Sequence, residues 1–347
     1  MKRINVLDNT LRDGSYAVDF SFTPADTATI CAELERAGVR YIEIGHGAGL
    51  GATARGLHPA VATDEEYLRA ARSALVSARF GMFCIPGIAS VDDIDAAADH
   101  GMGFIRVGTD VTRVAESRPY LERAKRRGLF ATANLMKSYA VPPAQFAEAA
   151  AQSASFGADV VYLVDSAGSM FPEDVITYVE ALRRRSQVRF GFHGHDNLGM
   201  AVCNSLFSAD HGASFVDSSL KGIGRSAGNA ATELVVASLD KRGYDTGIDV
   251  LRLLGVGDEC ACPLLRRPIF SSLDVVSGYA GFHTNFLPKV LVAAAEYAVD
   301  PARLIIGLCD IDRFDVSDED LRRVAIRMRR GQSESRSVGA KAVSESR

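Results

Sequence analysis

Two histidines separated by one residue are the residues of this sequence whose types and spacing most clearly suggest a chemical role. His193 and His195 follow an apolar run at residues 188–190 that predicts a β-strand. Alternate residues of a strand point to the same face, so the two imidazoles project together at the carboxyl end of this strand. Two converging neutral imidazoles are typical of a divalent-metal site. Two histidines that only form hydrogen bonds here are the alternative, and the pair alone does not decide between them.

The surrounding sequence predicts the elements that position this pair. From residue 4 to about residue 243, short apolar runs alternate with helical patterns, and one helix begins at a capping residue and a proline, Thr23 and Pro24. The predicted strands lie at residues 4–8, 41–45, 80–85, 104–107, 129–135, 160–165, 188–190 and 214–219. Eight consecutive strand–helix units predict an α/β fold, a (β/α)8 TIM barrel. An open doubly wound sheet rarely needs eight such units, and no Gly-x-Gly-x-x-Gly follows the first strand, so a dinucleotide site is not supported.

The composition is that of an ordinary globular protein without a strong charge bias. The 347 residues include 39 basic and 43 acidic side chains, a net charge of −4, with no basic stripe, which argues against nucleic-acid binding. No apolar run is long enough to cross a bilayer, and the first residues lead into a predicted strand rather than a signal peptide. The six cysteines are scattered without the spacing of a zinc site. We therefore expect a cytoplasmic protein with reduced thiols.

The pattern changes after residue 243. Helical patterns without intervening strands occur near residues 249–254, 285–298 and 317–328. The last stretch is rich in Ser and charged residues and has almost no large apolar side chains. The sequence therefore predicts three parts, which are a TIM-barrel catalytic domain at residues 1–248, a helical C-terminal appendage at 249–330 and a disordered tail at 331–347.

In a TIM barrel the chemistry belongs at the carboxyl ends of the strands, and these ends are polar here. The first strand leads into a segment that carries Arg12 and Asp13. Asp13 supplies the carboxylate that the two histidines lack, and two histidines with one carboxylate make a plausible site for Mn²⁺, or alternatively Mg²⁺ or Co²⁺. The other strand ends contribute Glu43, His46, Lys137, Asp165, Ser166, Ser219 and Lys221.

Several of these polar residues have two interpretations. Lys137 and Lys221, together with Arg225, could bind a phosphate or a second carboxylate of the substrate, but charges that simply stay solvated are the more common outcome. Glu43 is predicted to support the metal site indirectly or to be a satisfied polar group inside the barrel. The same two interpretations hold for His46.

Three segments of the chain resemble the signatures of one superfamily of TIM-barrel enzymes. Residues 10–14 (Thr-Leu-Arg-Asp-Gly), 193–197 (His-Gly-His-Asp-Asn) and 224–229 (Gly-Arg-Ser-Ala-Gly-Asn) are similar to motifs of the DRE-TIM metallolyases. This superfamily includes 3-hydroxy-3-methylglutaryl-CoA lyase, the 2-isopropylmalate and homocitrate synthases and the 4-hydroxy-2-oxovalerate aldolases. The aldolase branch is the most similar, because further segments also look like that enzyme, namely residues 42–50, 106–109 and 278–282.

The resemblance implies roles for individual residues. Asp13, His193 and His195 match the metal ligands of the superfamily. Asn229 matches a residue that completes or supports the metal shell. Arg12 matches an arginine that stabilises the pyruvate enolate, and Ser166 matches a residue that holds the pyruvate carboxylate. Phe83 and Ile85 match apolar positions that shape the aldehyde pocket, although buried barrel core is an equally good interpretation.

Two positions depart from the aldolase pattern. The aldolase branch carries His two residues after the Gly of its Arg-Asp-Gly, where this chain has Tyr16, and it carries a Tyr in the appendage where this chain has His283. Tyr and His have thus exchanged places. We expect His283 to act as the catalytic base with Tyr16 as its hydrogen-bond partner, since a neutral imidazole titrates near working pH and a phenol does not. The alternative is an accidental exchange that alters or abolishes aldol cleavage.

These observations predict a divalent-metal-dependent aldolase. It would cleave or form a 4-hydroxy-2-oxo acid, giving pyruvate and an aldehyde through a metal-bound pyruvate enolate. One alternative is an acyl-CoA-dependent Claisen-type synthase of the isopropylmalate or homocitrate kind. The compact loop at 224–229 is similar to that of these synthases, but they usually carry Gln where this chain has Tyr16. Another is a catalytically silent barrel that acts as a partner protein. The resemblance also implies a homo-oligomer and an acylating aldehyde dehydrogenase that contacts the appendage.

Overall fold

The computed structural model describes residues 2–265 and 272–330. The strands are β1 (Lys2–Arg3), β2 (Asn5–Asp8), β3 (Tyr41–Ile44), β4 (Arg79–Cys84), β5 (Phe104–Asp110), β6 (Phe130–Met136), β7 (Val160–Asp165), β8 (Arg189–Gly194), β9 (Phe215–Ser218) and β10 (Tyr244–Asp245). The helices are α1 (Pro24–Ala37), α2 (Asp64–Ala74), α3 (Val91–Asp99), α4 (Arg118–Arg126), α5 (Pro143–Ser155), α6 (Pro172–Arg185), α7 (Ala201–Asp210), α8 (Thr232–Lys241), α9 (Val250–Val256), α10 (Ser272–Ala280), α11 (Leu287–Tyr297) and α12 (Pro301–Cys309). Residues 318–330 form a further helix.

Strands β2 to β9 form a closed barrel in which neighbouring strands are parallel and follow chain order. The barrel closes where β2 pairs with β9, with Val6 opposite Val216. One α-helix follows each barrel strand, so the predicted (β/α)8 TIM barrel is confirmed. The strands are nearly continuous apolar runs because both of their faces are covered, and all six residues of β7 are buried.

Capping residues fix where the first three barrel helices begin. Thr23, Thr63 and Ser90 each accept a hydrogen bond from the backbone N–H three residues further on, and the acidic side chain at that position bonds back. The helices α1, α2 and α3 therefore start at defined residues. As a result, the loops that carry Asp13 and His46 are anchored at both ends.

The chain divides into two compact units, Met1–Phe270 and Ser271–Arg347. The division falls later than the sequence pattern indicates, because α9 packs against α1 and α8 of the barrel. The second unit is helical and has its own apolar core, which includes Phe282, Val290 and Leu304. The predicted tail at 331–347 lies outside the described residues. Across the described ranges, no helix combines the length and apolarity that crossing a membrane requires.

Candidate metal centre and active site

Three of the predicted ligands lie together at the carboxyl end of the barrel. Asp13 begins a short 3₁₀ segment after β2, His193 lies in β8, and His195 follows β8 directly. All three side chains are buried, and one ligand atom of each lies within 4.8 Å of the others. Burial alone would raise the pKa of the Asp13 carboxyl, but the adjacent Arg12 guanidinium lowers that pKa overall. Asp13 is therefore a carboxylate, the form that binds a cation.

Hydrogen bonds define which nitrogen each histidine presents. His195 Nδ1 lies 3.1 Å from the carbonyl oxygen of Gly228, which only accepts, so Nδ1 carries the proton and Nε2 keeps its lone pair. Burial, together with the nearby Arg225, lowers the pKa of His195 well below its usual value, so the ring is neutral. His193 Nδ1 lies 2.9 Å from Asp217 Oδ2, an arrangement that leaves His193 Nε2 as the metal-binding nitrogen.

Asn229 completes this group from the loop after β9. Its Nδ2 donates to Asp13 Oδ2 at 2.9 Å and to the carbonyl oxygen of Ile223 at 3.2 Å. Its Oδ1 is buried and has no hydrogen-bond partner among the described residues. Two imidazole nitrogens, a carboxylate and this unsatisfied amide oxygen are donors of the kinds that would suit a divalent cation such as Mn²⁺ or Mg²⁺.

Arg12 lies beside the metal ligands and is held in place by acidic groups. Its Nη1 donates to Asp13 Oδ1 at 2.6 Å, and its Nε donates to Glu43 Oε2 at 2.8 Å. The guanidinium stacks on the ring of Phe83, 4.7 Å from the ring centre. Phe83 thus forms one wall around the predicted enolate-stabilising arginine. Ile85 follows β4 in a turn, where its carbonyl oxygen accepts hydrogen bonds from Ile88 and Ala89.

A buried ion-pair chain that the sequence analysis missed connects Arg12 with His193. Arg106 is fully buried and donates to Glu43 Oε2 at 3.1 Å and to Asp217 Oδ2. Each of these oxygens therefore serves two partners, since Glu43 Oε2 also binds Arg12 and Asp217 Oδ2 also binds His193. The available signal was a charged residue inside an apolar strand, at position 106 of β5 and position 217 of β9.

Ser166 and two basic residues lie next to the ligand group. The backbone N–H of Lys137 donates to Ser166 Oγ at 3.0 Å, and Lys137 Nζ lies 3.3 Å from Asp110 Oδ2. Arg225 Nη2 lies 3.0 Å from the carbonyl oxygen of Ser166 and 2.8 Å from His195 Nε2. Arg225 thus contacts a metal ligand directly and Ser166 adjoins Arg225, an environment suited to a carboxylate.

Lys221 and His46 have their contacts elsewhere in the barrel unit. Lys221 Nζ lies 2.7 Å from Asp258 and 3.8 Å from Glu233. His46 Nδ1 accepts the N–H of Ala48 at 3.0 Å, and its Nε2 donates to the carbonyl oxygen of His58 at 2.8 Å. Both nitrogens of His46 are therefore used within the loop that follows β3.

Tyr16 lies in the same 3₁₀ segment as Asp13. Its ring meets Phe20 edge-on at 5.0 Å and faces Gly47, where an added Cβ would lie 2.3 Å from the ring. Burial raises the pKa of Tyr16, with a further contribution from Asp13, so the phenol stays protonated and can donate a hydrogen bond. His283 belongs to the second unit, where it is buried and its Nδ1 accepts the N–H of Asn285 at 3.4 Å. The pairing of Tyr16 with His283 stays a prediction.

Several known proteins are similar to this chain in sequence or in fold. The family model HMGL-like matches residues 3–259. The 4-hydroxy-2-oxovalerate aldolase of Carboxydothermus hydrogenoformans is 40% identical over 308 residues, which cover 88% of this chain and 92% of that protein. The oxaloacetate decarboxylase of Mycobacterium tuberculosis is 42% identical over 296 residues, which cover 84% of this chain and 87% of that protein. The HMG-CoA lyase of Bacillus subtilis is similar in fold, with a TM-score of 0.67 at 22% identity over 76% of this chain and 94% of the lyase chain.

Proposed function

The chain belongs to the HMGL-like family, as the resemblance implied, and we propose that it is a divalent-metal-dependent aldolase. Its reaction is the cleavage or formation of a 4-hydroxy-2-oxo acid, with pyruvate and an aldehyde as the other side of the equilibrium. The observation that carries this proposal is the buried group of Asp13, His193 and His195 with Arg12 directly beside it. The 40% identical relative from C. hydrogenoformans, named 4-hydroxy-2-oxovalerate aldolase, supports the same reaction.

Each residue of the site has a separate task in this proposal. A divalent cation, which we propose to be Mn²⁺ or alternatively Mg²⁺ or Co²⁺, would polarise the 2-oxo group and lower the free energy of the enolate. Asp13, His193 and His195 hold that cation, with Asn229 Oδ1 in support. Arg12 stabilises the negative charge that develops on the enolate oxygen. Ser166 orients the carboxylate next to the 2-oxo group.

Aldol cleavage also needs a base that removes the proton of the 4-hydroxyl group. We assign this step to His283, with Tyr16 as its hydrogen-bond partner. Phe83 and Ile85 form the apolar side of the aldehyde pocket, and Lys137 binds an anionic group on the substrate. Lys221, the other proposed substrate-binding lysine, is already paired with Asp258 and Glu233 and would have to leave them to bind an anionic group.

The test separates enolate formation from aldol chemistry. Purified Mn²⁺-loaded protein is incubated with pyruvate in D₂O, and exchange of the methyl protons is followed by NMR. It is then given pyruvate with a panel of aldehydes, some of them phosphorylated. We expect Asp13→Asn to lose Mn²⁺ binding and exchange, and His283→Ala to keep exchange while losing aldol cleavage. Full aldol turnover in His283→Ala would contradict the base assignment.

The same assays decide between the proposal and its alternatives. A CoA-dependent synthase would condense acetyl-CoA with a 2-oxo acid and would leave the aldehyde panel unreacted. A silent barrel would bind neither Mn²⁺ nor pyruvate.

Oxaloacetate decarboxylation is a second candidate activity. The 42% identical relative from M. tuberculosis carries that name. Loss of CO₂ from oxaloacetate leaves the same pyruvate enolate, but it requires no base at a 4-hydroxyl group. The activity would therefore depend on Asp13 and Arg12 and not on His283. Decarboxylation that persists in His283→Ala, measured by pyruvate release, supports it.

We also propose a cytoplasmic homo-oligomer with an acylating aldehyde dehydrogenase as partner. The six cysteines are all free, which agrees with a reducing compartment. The dehydrogenase rests on the resemblance alone. Co-purification of the two proteins from the native cell, with size-exclusion chromatography of this chain alone, tests both statements.

A further inference from the structure

We propose that Arg225 exchanges partners when a divalent cation enters the metal site. In the metal-free protein its guanidinium holds His195, and once a divalent cation takes His195 the guanidinium binds the carboxylate next to the 2-oxo group of the substrate. Arg225 would thus make 2-oxo acid binding depend on prior metal binding. This inference rests on the proposed function.

The backbone fixes Arg225 at the metal ligands. Its N–H lies 3.3 Å from Asp13 Oδ2, and its carbonyl oxygen accepts the N–H of Gly228 at 3.0 Å. Ser226 and Gly228 both have a positive φ, 61° and 89°, which makes this loop a tight turn. The Arg225 side chain therefore starts beside Asp13 whatever its guanidinium contacts.

A guanidinium and a metal ion cannot both use the same nitrogen of His195. Arg225 Nη2 lies 2.8 Å from His195 Nε2, and the other nitrogen of the ring is engaged by the Gly228 carbonyl. Nε2 offers one lone pair, and an arginine does not lose its charge to relieve the conflict. A cation at Nε2 therefore displaces the guanidinium and also repels it.

The structure also indicates where the displaced guanidinium goes. The carboxylates of the site already have basic partners, since Asp13 and Glu43 bind Arg12 and Asp217 binds Arg106. The anion that remains to be paired is the one that the substrate brings. Arg225 Nη2 is already 3.0 Å from the carbonyl oxygen of Ser166, the residue proposed to hold that carboxylate.

A carboxylate is also the ligand that best fits the guanidinium. The planar guanidinium matches a carboxylate through two parallel hydrogen bonds, which a lysine ammonium does not reproduce. The two proposed tasks of Arg225 can therefore be separated by substitution. The contact with His195 needs only a positive charge, whereas binding the carboxylate needs the two parallel N–H donors of the guanidinium.

The experiment measures two affinities by isothermal titration, of Mn²⁺ for the metal-free protein and of pyruvate for the Mn²⁺-loaded protein. In Arg225→Gln the competing charge is gone, so we expect Mn²⁺ to bind about tenfold tighter or more. We expect the same variant to bind pyruvate about tenfold more weakly or worse, because a charged hydrogen-bond pair is lost. Arg225→Lys keeps the positive charge but lacks the two parallel N–H donors, so Mn²⁺ affinity should stay near that of the wild type while pyruvate affinity falls.

Opposite changes in the two affinities are the result that only the exchange of partners predicts. Weaker Mn²⁺ binding in Arg225→Gln, or unchanged pyruvate binding in both variants, overturns the inference and leaves the proposed aldolase intact. A wild-type protein that binds no Mn²⁺ overturns both. If Arg225→Gln does not fold, Arg225→Lys decides through its pyruvate affinity. Arg185→Gln, which changes an exposed arginine paired with Glu148, is the matched control and should alter neither affinity.

Discussion

A single methyl group at Gly224 should loosen the metal centre without disturbing the barrel. A Cβ at this position would lie 2.4 Å from Asn229 Nδ2 and 2.9 Å from Asp13 Oδ2. Gly224 has no positive φ that would strain an alanine backbone, so the whole effect falls on these two side chains. Real Cβ atoms keep at least 3.0 Å from such neighbours, so the Asn229 amide must withdraw by about 0.6 Å.

The size of the effect follows from the hydrogen bond that is lost. Asn229 Nδ2 donates to Asp13 Oδ2 at 2.9 Å, and the withdrawal lengthens this contact beyond a useful hydrogen bond. A hydrogen bond to a charged group contributes about 1.5–3 kcal/mol. Residues that support metal ligands typically change affinity by roughly 10- to 100-fold when they are altered. We therefore expect Gly224→Ala to bind Mn²⁺ weaker by roughly 10- to 100-fold.

The assay is an isothermal Mn²⁺ titration with thermal unfolding beside it. Gly255→Ala is the matched control, because a Cβ there meets nothing within 4 Å and the position lies in helix α9. In that variant Mn²⁺ affinity should not change, and stability should rise by about 0.5–1 kcal/mol. If Gly224→Ala binds Mn²⁺ as tightly as the wild type while folding normally, Asn229 does not support the metal site.

Other contacts give predictions of the same kind. In Gly47→Ala the new Cβ would lie 2.3 Å from the Tyr16 ring, so aldol cleavage should fall by about tenfold or more in steady-state kinetics while Mn²⁺ affinity persists. A loss of Mn²⁺ binding instead would contradict the separate role of Tyr16. Arg106→Met leaves two buried carboxylates without their shared cation, and urea unfolding should show a loss of about 3–5 kcal/mol. The exposed Arg185→Met should cost less than about 0.5 kcal/mol, and equal losses would refute the stabilising role of Arg106. Burial raises the pKa of Asp8 to about 6, so the folded protein holds a proton that the unfolded chain releases near pH 4. This group should therefore lower the free energy of unfolding by about 3 kcal/mol as pH rises from about 4 to 7, and Asp8→Asn should remove that part of the pH dependence. An unchanged pH profile in the variant would show that Asp8 does not titrate in this way.

The barrel and its metal ligands are visible in the sequence because local patterns specify them. Apolar runs mark the strands, and the capping residue Thr23 marks the start of α1. His193 and His195 share a strand face by their spacing alone, and Asp13 is placed near them by the rule that barrel strands end on one side. No knowledge of distant contacts is needed for any of these steps.

Contacts between distant strands are not visible in this way. The ion pairs of Arg106 join residues 63 and 111 positions apart, and nothing in the local sequence tells which carboxylate an arginine will meet. The contact of Arg225 with His195 depends on a turn that Ser226 makes with a positive φ, which the residue type does not announce. The site for α9 is likewise decided by packing against α1 rather than by its own pattern.

The ion-pair chain has a consequence for how this barrel can be assembled. Glu43, Arg106 and Asp217 stand on β3, β5 and β9, none of which is hydrogen-bonded to another of the three. The ion pairs therefore cross the inside of the barrel and do not run between neighbouring strands. A fragment that contains only some of these three strands would leave a buried charge without its partner. A half-barrel fragment of this sequence would be a poor independent unit. Exchange of segments with other barrels would have to carry all three partners together.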